Sequence, residues 1–313
     1  MSKLSNSTKG ILLATFASIS WGIAGVITEF VSHAEAIPAD WFLSARTTGA
    51  GLILIIISAI IYRGKIFNVF KSWQSIMWIV LYGLFGLAAN MGSFYISIQQ
   101  GNAAAATILQ YLAPLFIAIG SFIFMKKKPL KIDLLVFVIA LLGVALSITK
   151  GDFTQLSIPL PSFIWGIVAG ITAALYVVLP RKLAEDNSPI VVLGWGTLIA
   201  SLAYNINHPV FMDVPKLSSG AVLGIFGIIL FGTLLTFTSL IWATRFTSSE
   251  VISLLDAAQP VSTFIFSVIF LGTPLSFWEV VGAILVITAV YILQYAQRKR
   301  ENLSIPSGPN FKK

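Results

Sequence analysis

The chain contains no cysteine among its 313 residues and only two histidines, His33 and His208. The first absence excludes disulfides, thiolate metal sites and cysteine nucleophiles together. No HExxH and no GxxxxGK[ST] occurs, and both histidines sit in loop-like segments, so nothing points to a metal, a cofactor or a phosphate-cradling loop. Charge is scarce as well, at 10% of residues against 57% hydrophobic. With a mean hydropathy of +0.91, the chain cannot present a soluble surface and reads as an integral membrane protein whose first partner is the lipid bilayer. The net charge of +8 does not indicate nucleic acid, because the basic residues lie in short runs between apolar segments.

Apolar stretches of membrane-spanning length fall at about 10–31, 41–62, 73–98, 103–125, 132–149, 162–182, 190–208, 219–244, 249–271 and 276–297. If the amino terminus is cytoplasmic, every Lys and Arg except Arg46, Lys150 and Lys216 falls on the inner side. Positive-inside sorting therefore places both termini in the cytoplasm. Ala34-Glu35-Ala36 resembles a signal-peptide cleavage site, but the run from Gly10 to Val31 is too long for a signal h-region and suits a retained span. Residues 298–313, with Pro306, Gly308 and Pro309, read as a disordered cytoplasmic tail.

Residues 85–124 and 231–270 align without a gap. Gly86 meets Gly232, Ser93 meets Ser239, Leu109 meets Leu255, Pro114 meets Pro260 and Ser121 meets Ser267, all at one offset. The repeat unit is five spans long, and an odd number makes the second copy enter the membrane from the opposite side. The expected fold is thus an all-α membrane protein of ten transmembrane helices in two inverted five-helix repeats, 10–149 and 162–297. Such repeats place a substrate site at their interface near the bilayer midplane.

Polar residues recur at three- and four-residue steps on four of these spans, which puts each set on one helix face. They are Gly86, Asn90, Ser93 and Ser97; Thr107, Gln110, Tyr111, Pro114 and Ser121; Gly232, Thr236 and Ser239; and Ser249, Ser253, Asp256, Pro260, Thr263 and Ser267. Polar groups in hydrocarbon must face a partner or water, so these faces point inward. The serines suit interhelical packing. The larger groups Asn90, Gln110, Tyr111, Thr236, Asp256 and Gln259 are the candidate substrate pathway, joined by the aromatic Trp21 and Tyr176. A single carboxylate, Asp256, suits either a substrate ammonium or a coupling proton, and both readings stay open.

Pro114 and Pro260 each remove a backbone donor in mid-span, so paired kinks are expected, as hinges or as fixed bends. Glu29 and Arg46 lie at similar depth near the outer ends of the first two spans, which suggests a structural ion pair, or snorkelling to the headgroups, ahead of a direct substrate role. Gly166 and Gly170 read as a close-packing face.

With Ser20-Trp21-Gly22, Ala45-Arg46, Gly86 through Ala103-Ala104-Ala105-Ala106 to Pro114, Trp165-Gly166, and Gly232 to Pro260 and Leu271-Gly272, the chain resembles the drug/metabolite transporter superfamily, EamA type. Asn102 to Thr107 and Val191 to Trp195 look most like its YicL-type bacterial members. The resemblance implies export of small metabolites, commonly amino acids or drug-like molecules, by alternating access. Two features of the family pattern are missing, a Glu before the second proline and an acidic residue just after spans four and nine: Gln259 precedes Pro260, and Lys126-Lys127-Lys128 and Gly272-Thr273-Pro274 occupy the later positions. Asp256 is the nearest substitute. The competing function class is a membrane-embedded enzyme or receptor without transport activity, and no catalytic constellation in the sequence supports an enzyme. Monomer and homodimer are equally compatible with the sequence.

Overall fold

A computed structural model describes residues 6–126, 131–247, 251–252 and 255–304. Eight of its helices are long and apolar enough to cross a membrane, and two shorter apolar ones, Leu134–Thr149 and Ala258–Leu271, accompany them. The chain is an all-α integral membrane protein, the helix being, outside a closed barrel, the fold that pairs its own backbone polar groups within hydrocarbon.

The first span is α1 (Asn6–His33) and the second α2 (Ala39–Tyr62), which runs on as a 3₁₀ stretch, Arg63–Phe70. That extension, expected as a cytoplasmic loop, is held because Ile66 and Val69 are buried and the Ile66 carbonyl accepts from Trp195 Nε1 at 2.8 Å. The third span is α3 (Trp73–Leu81) and α4 (Ala89–Gln100), joined by a π-helical segment, Tyr82–Ala88. The fourth is α5 (Ala103–Gln110) and α6 (Ala113–Met125), and the fifth α7 (Lys131–Thr149).

The second half begins with α8 (Leu160–Val178), the one-turn α9 (Arg181–Ala184) and α10 (Pro189–Asn207). Its third member is α11 (Ser219–Ile229) and α12 (Leu235–Ala243), again joined by a π segment, Leu230–Leu234. Then come α13 (Ala258–Leu271) and α14 (Phe277–Ser304). Ser249 and Ser253 of the expected stripe lie outside the described residues. Residues 298–304, expected in the disordered tail, continue α14, since Arg, Lys, Glu and Leu are good helix formers and propagate an existing helix.

Helix pairing is symmetric between the halves. α2 packs on α10 and α7 on α14, each a pairing of equivalent spans. α8 packs on the third and fourth spans of the first half, while α1 packs on α11, α12 and α13 of the second. Close approach requires glycine at these crossings. A Cβ at Gly22 would lie 2.8 Å from the Gln259 carbonyl oxygen and one at Gly170 2.7 Å from that of Leu109, so the first helix of each half rests on the backbone of the opposite half's broken helix. Gly166, 2.3 Å by the same construction from Leu109 Cδ1, serves the same packing.

The repeats match in irregularity as well as in helix. Both π segments contain the aligned glycine, Gly86 or Gly232. Both fourth members end in a left-handed residue, Lys126 at φ 52° and Gly272 at φ 64°. A π turn frees carbonyls from the α pattern, and in hydrocarbon these need partners. Aromatic donors from other helices supply them: Tyr204 OH donates to the Ala88 carbonyl, and Trp21 Nε1 to that of Gly232 at 3.2 Å.

The prolines do not kink continuous helices. The chain leaves α-helix at Tyr111–Leu112 and again at Asp256–Ala257, so Pro114 and Pro260 fall in the first turns of α6 and α13. Proline is tolerated there because first-turn N–H groups lack intrahelical acceptors in any case.

Candidate functional site

A cavity of about 400 Å³ lies between the halves. Its walls come from α1, α2, α4, α8, the two chain breaks, the second π segment with α12, and α14. Trp21, Asn90, Gln110, Tyr111, Tyr176, Asp256 and Gln259 all line it, as does Pro114. Pro260 is buried beside it without lining it.

The polar wall is built from α4 and α8. Asn90 Nδ2 donates to the Ala169 carbonyl at 2.9 Å and to Thr172 Oγ1 at 3.3 Å, and its Oδ1 accepts from Gln110 Nε2 at 3.3 Å. Ser93 Oγ lies 3.3 Å from Thr172 Oγ1, extending the network away from the cavity. One turn further, Ser97 Oγ donates to the Ser162 carbonyl and Ser162 Oγ to that of Ser97, at 2.9 and 2.7 Å. These serines pack helices, and Asn90 does so while showing one edge to the cavity.

The opposite wall carries Asp256, positioned by the chain break after Leu255. Its Oδ1 accepts from Ser18 Oγ of α1 at 3.4 Å. Gln259, one turn later, accepts at its carbonyl from Ser262 Oγ and Thr263 Oγ1. Aromatic rings bridge the two walls. Trp21 meets Phe237 edge-on at 5.5 Å and Phe237 meets Tyr176 at 6.5 Å, an apolar belt with polar rims that suits a small organic ligand.

Two expectations are corrected. Thr236 does not line the cavity: it is fully buried, and its hydroxyl donates to the carbonyls of Phe231, five residues back, and of Ala17. The π segment leaves the Phe231 carbonyl in need of a donor, and the threonine one turn on supplies it. Glu29 and Arg46 form no ion pair. Glu29 Oε2 instead accepts from the Ala103 backbone N–H at 2.7 Å, and Asn102 Oδ1 accepts from Ala105, so the buried carboxylate caps α5. Arg46 lies on the cavity wall near Gly232.

Sequence reasoning ranked this role for Arg46 below an ion pair, and missed Thr28, Phe94, Phe237 and Gln294, which also line the cavity. Gln294 carried a signal, being an amide within the last apolar span. Phe237 carried none, because an aromatic residue in a membrane helix is ordinary. Next to the lining residue Phe94, Tyr95 is fully buried, stacked on Phe42 at 4.5 Å and donating to the Ile37 carbonyl at 2.8 Å. Toward the other end the cavity reaches the exposed Arg181.

The profile of the EamA-like transporter family matches residues 8–149 and again 160–295. The chain belongs to the EamA-like transporter family. Among its relatives, the uncharacterized inner membrane transporter YicL of Salmonella typhimurium is 27% identical over 301 residues, 95% of this chain and 99% of that protein. A chloroplastic WAT1-related protein of Arabidopsis thaliana is 24% identical over 88% of this chain and 67% of its own length. The uncharacterized transporter YyaM of Bacillus subtilis is 28% identical over 69% and 72% of the two chains. A solved crystal structure at 16% identity has the same fold, with a TM-score of 0.62 over 94% of this chain and 99% of that one. This EamA-family chain is a multi-pass membrane transporter rather than an enzyme.

Proposed function

We propose that the chain is a secondary transporter that carries a small metabolite, an amino acid or a drug-like compound, out across the cytoplasmic membrane by alternating access. Both termini lie in the cytoplasm, and residues 10–149 and 162–297 are the two inverted five-helix halves. The cavity between the halves carries this reading. Its volume suits a small metabolite, and each copy contributes its broken helix to the wall.

With the amino terminus inside, the Arg181 end of the cavity faces the cytoplasm and the Tyr95 end faces out. The breaks at Tyr111 and Asp256 and the two π segments are where helix geometry changes without loss of core packing. Such matched irregularities are suited to rocking one half against the other. Asp256, the carboxylate on the wall, binds either the coupling proton or a substrate ammonium.

The test is a thermal-shift panel of amino acids, organic acids, amines and drug-like compounds on purified protein, followed by counterflow in proteoliposomes with each stabilising ligand. Saturable counterflow of a stabilising ligand supports the proposal. Tight binding with no flux in either direction refutes it.

A further inference from the structure

Arg46 lies on the wall of the cavity and has no ion-pair partner among the described residues. Its Nε is buried and meets no hydrogen-bond acceptor. Lys150 and Glu279, at 3.3 Å, form an ion pair at the far side of the fold, and neither Arg46 nor Asp256 has one among the described residues. Glu29, the carboxylate nearest in depth, is committed to the amino end of α5. A guanidinium inside a membrane protein needs an acceptor, from protein or from what enters its cavity.

Both charges can be placed along α1. A Cβ at Gly232 would lie 3.5 Å from one terminal nitrogen of Arg46 and 3.1 Å from Ala24 Cβ, so the guanidinium sits near the level of Ala24. Asp256 meets Ser18. Six helical residues separate those levels, about 9 Å of rise. The two groups are therefore not in contact, yet they face one cavity, with the rings of Trp21, Tyr176 and Phe237 between its walls.

We propose that Arg46 is the anion-binding subsite of this cavity and that the cargo carries a carboxylate, with a cationic or donor group directed toward Asp256. The proposal rests on the cavity being the transport pathway. Arginine presents a planar fork that matches a carboxylate through two parallel hydrogen bonds, and it keeps its charge at any physiological pH. A zwitterion leaves the loaded cavity neutral, since one fixed charge meets each end. A dianion such as a phosphate ester would leave an uncompensated charge in the membrane interior.

The experiment uses the whole protein in lipid nanodiscs and three series of probes: alanine, leucine and tyrosine, each with its primary amide and its deaminated acid. In wild type, at least one free acid should bind about tenfold or more tightly than its amide, the loss expected when a charged hydrogen bond is removed. Arg46→Gln should erase that preference, and Arg46→Lys, which keeps the charge without the fork, should retain part of it. Equal binding of acid and amide in wild type overturns the subsite, as does a preference that survives in Arg46→Gln or a panel in which no carboxylate binds. The wild-type comparison and the lysine variant decide the question even if the glutamine variant does not fold. Proteoliposome counterflow of the bound acid separates the two readings: preference without flux sinks transport and leaves the subsite, whereas flux without preference sinks the subsite alone.

Discussion

Glu29 accepts a hydrogen bond from the backbone N–H of Ala103 across the junction of α1 and α5, at 2.7 Å. The acceptor is a buried carboxyl aimed at the positive end of a helix, so it fixes where the fourth span begins. Glu29→Ala should destabilise the protein by about 1–2 kcal/mol through loss of this cap, read as a fall in melting temperature in detergent. Because no ion pair links them, the Glu29→Ala and Arg46→Ala effects should add within about 0.5 kcal/mol. Strong coupling in that double-mutant cycle would restore the ion pair.

Thr236 presents the converse case, a polar residue on the expected stripe that serves the backbone. Thr236→Val keeps the shape but strands the Phe231 carbonyl, at a cost of about 1–3 kcal/mol. Ligand affinity should not change in the variant that remains folded, while Thr236→Ser should be close to wild type. A large affinity change at constant melting temperature would return Thr236 to the pathway.

Asp256 faces the cavity and is held in no ion pair among the described residues. If it carries the coupling proton, Asp256→Asn abolishes uptake driven by a pH gradient into reconstituted vesicles while substrate exchange persists. Gradient dependence equal to wild type rules that role out and leaves the ammonium reading, in which exchange itself weakens.

Pro114 follows a break that the chain makes before reaching it. Pro114→Ala, which adds an N–H where a first-turn donor needs no intrahelical acceptor, should change stability by less than about 1 kcal/mol. Gly22→Ala should be far more damaging, since the added Cβ would sit 2.8 Å from the Gln259 carbonyl oxygen on a helix that cannot step aside cheaply. Comparable melting temperatures for the two variants would contradict the close α1–α13 contact.

The repeat was legible because glycine and proline mark backbone geometry, and Gly86, Gly232, Pro114 and Pro260 mark places where both copies depart from regular helix. What those residues mark was less legible. Sequence spacing fixes the depth of a side chain and its face on an ideal helix, but π turns and breaks shift the face, which is how Thr236 moved off the cavity. Glu29 and Arg46 share a depth, yet depth says nothing of direction around the bundle. The amides Asn90 and Gln110 were easier to place, since each needs several partners and only an interior face provides them.

The wide turn at Tyr82–Ala88 has a consequence for the third span as a whole. One extra residue in a turn rotates everything beyond it by about 100° relative to an unbroken α-helix. Before the turn the span packs on α10, and after it on α8, where Asn90 finds the Ala169 carbonyl. The span thus works as two half-length rods of different azimuth, welded end to end. Deleting one residue from the weld would leave its composition and hydropathy almost untouched, and would turn the polar edge of Asn90 away from the Ala169 carbonyl.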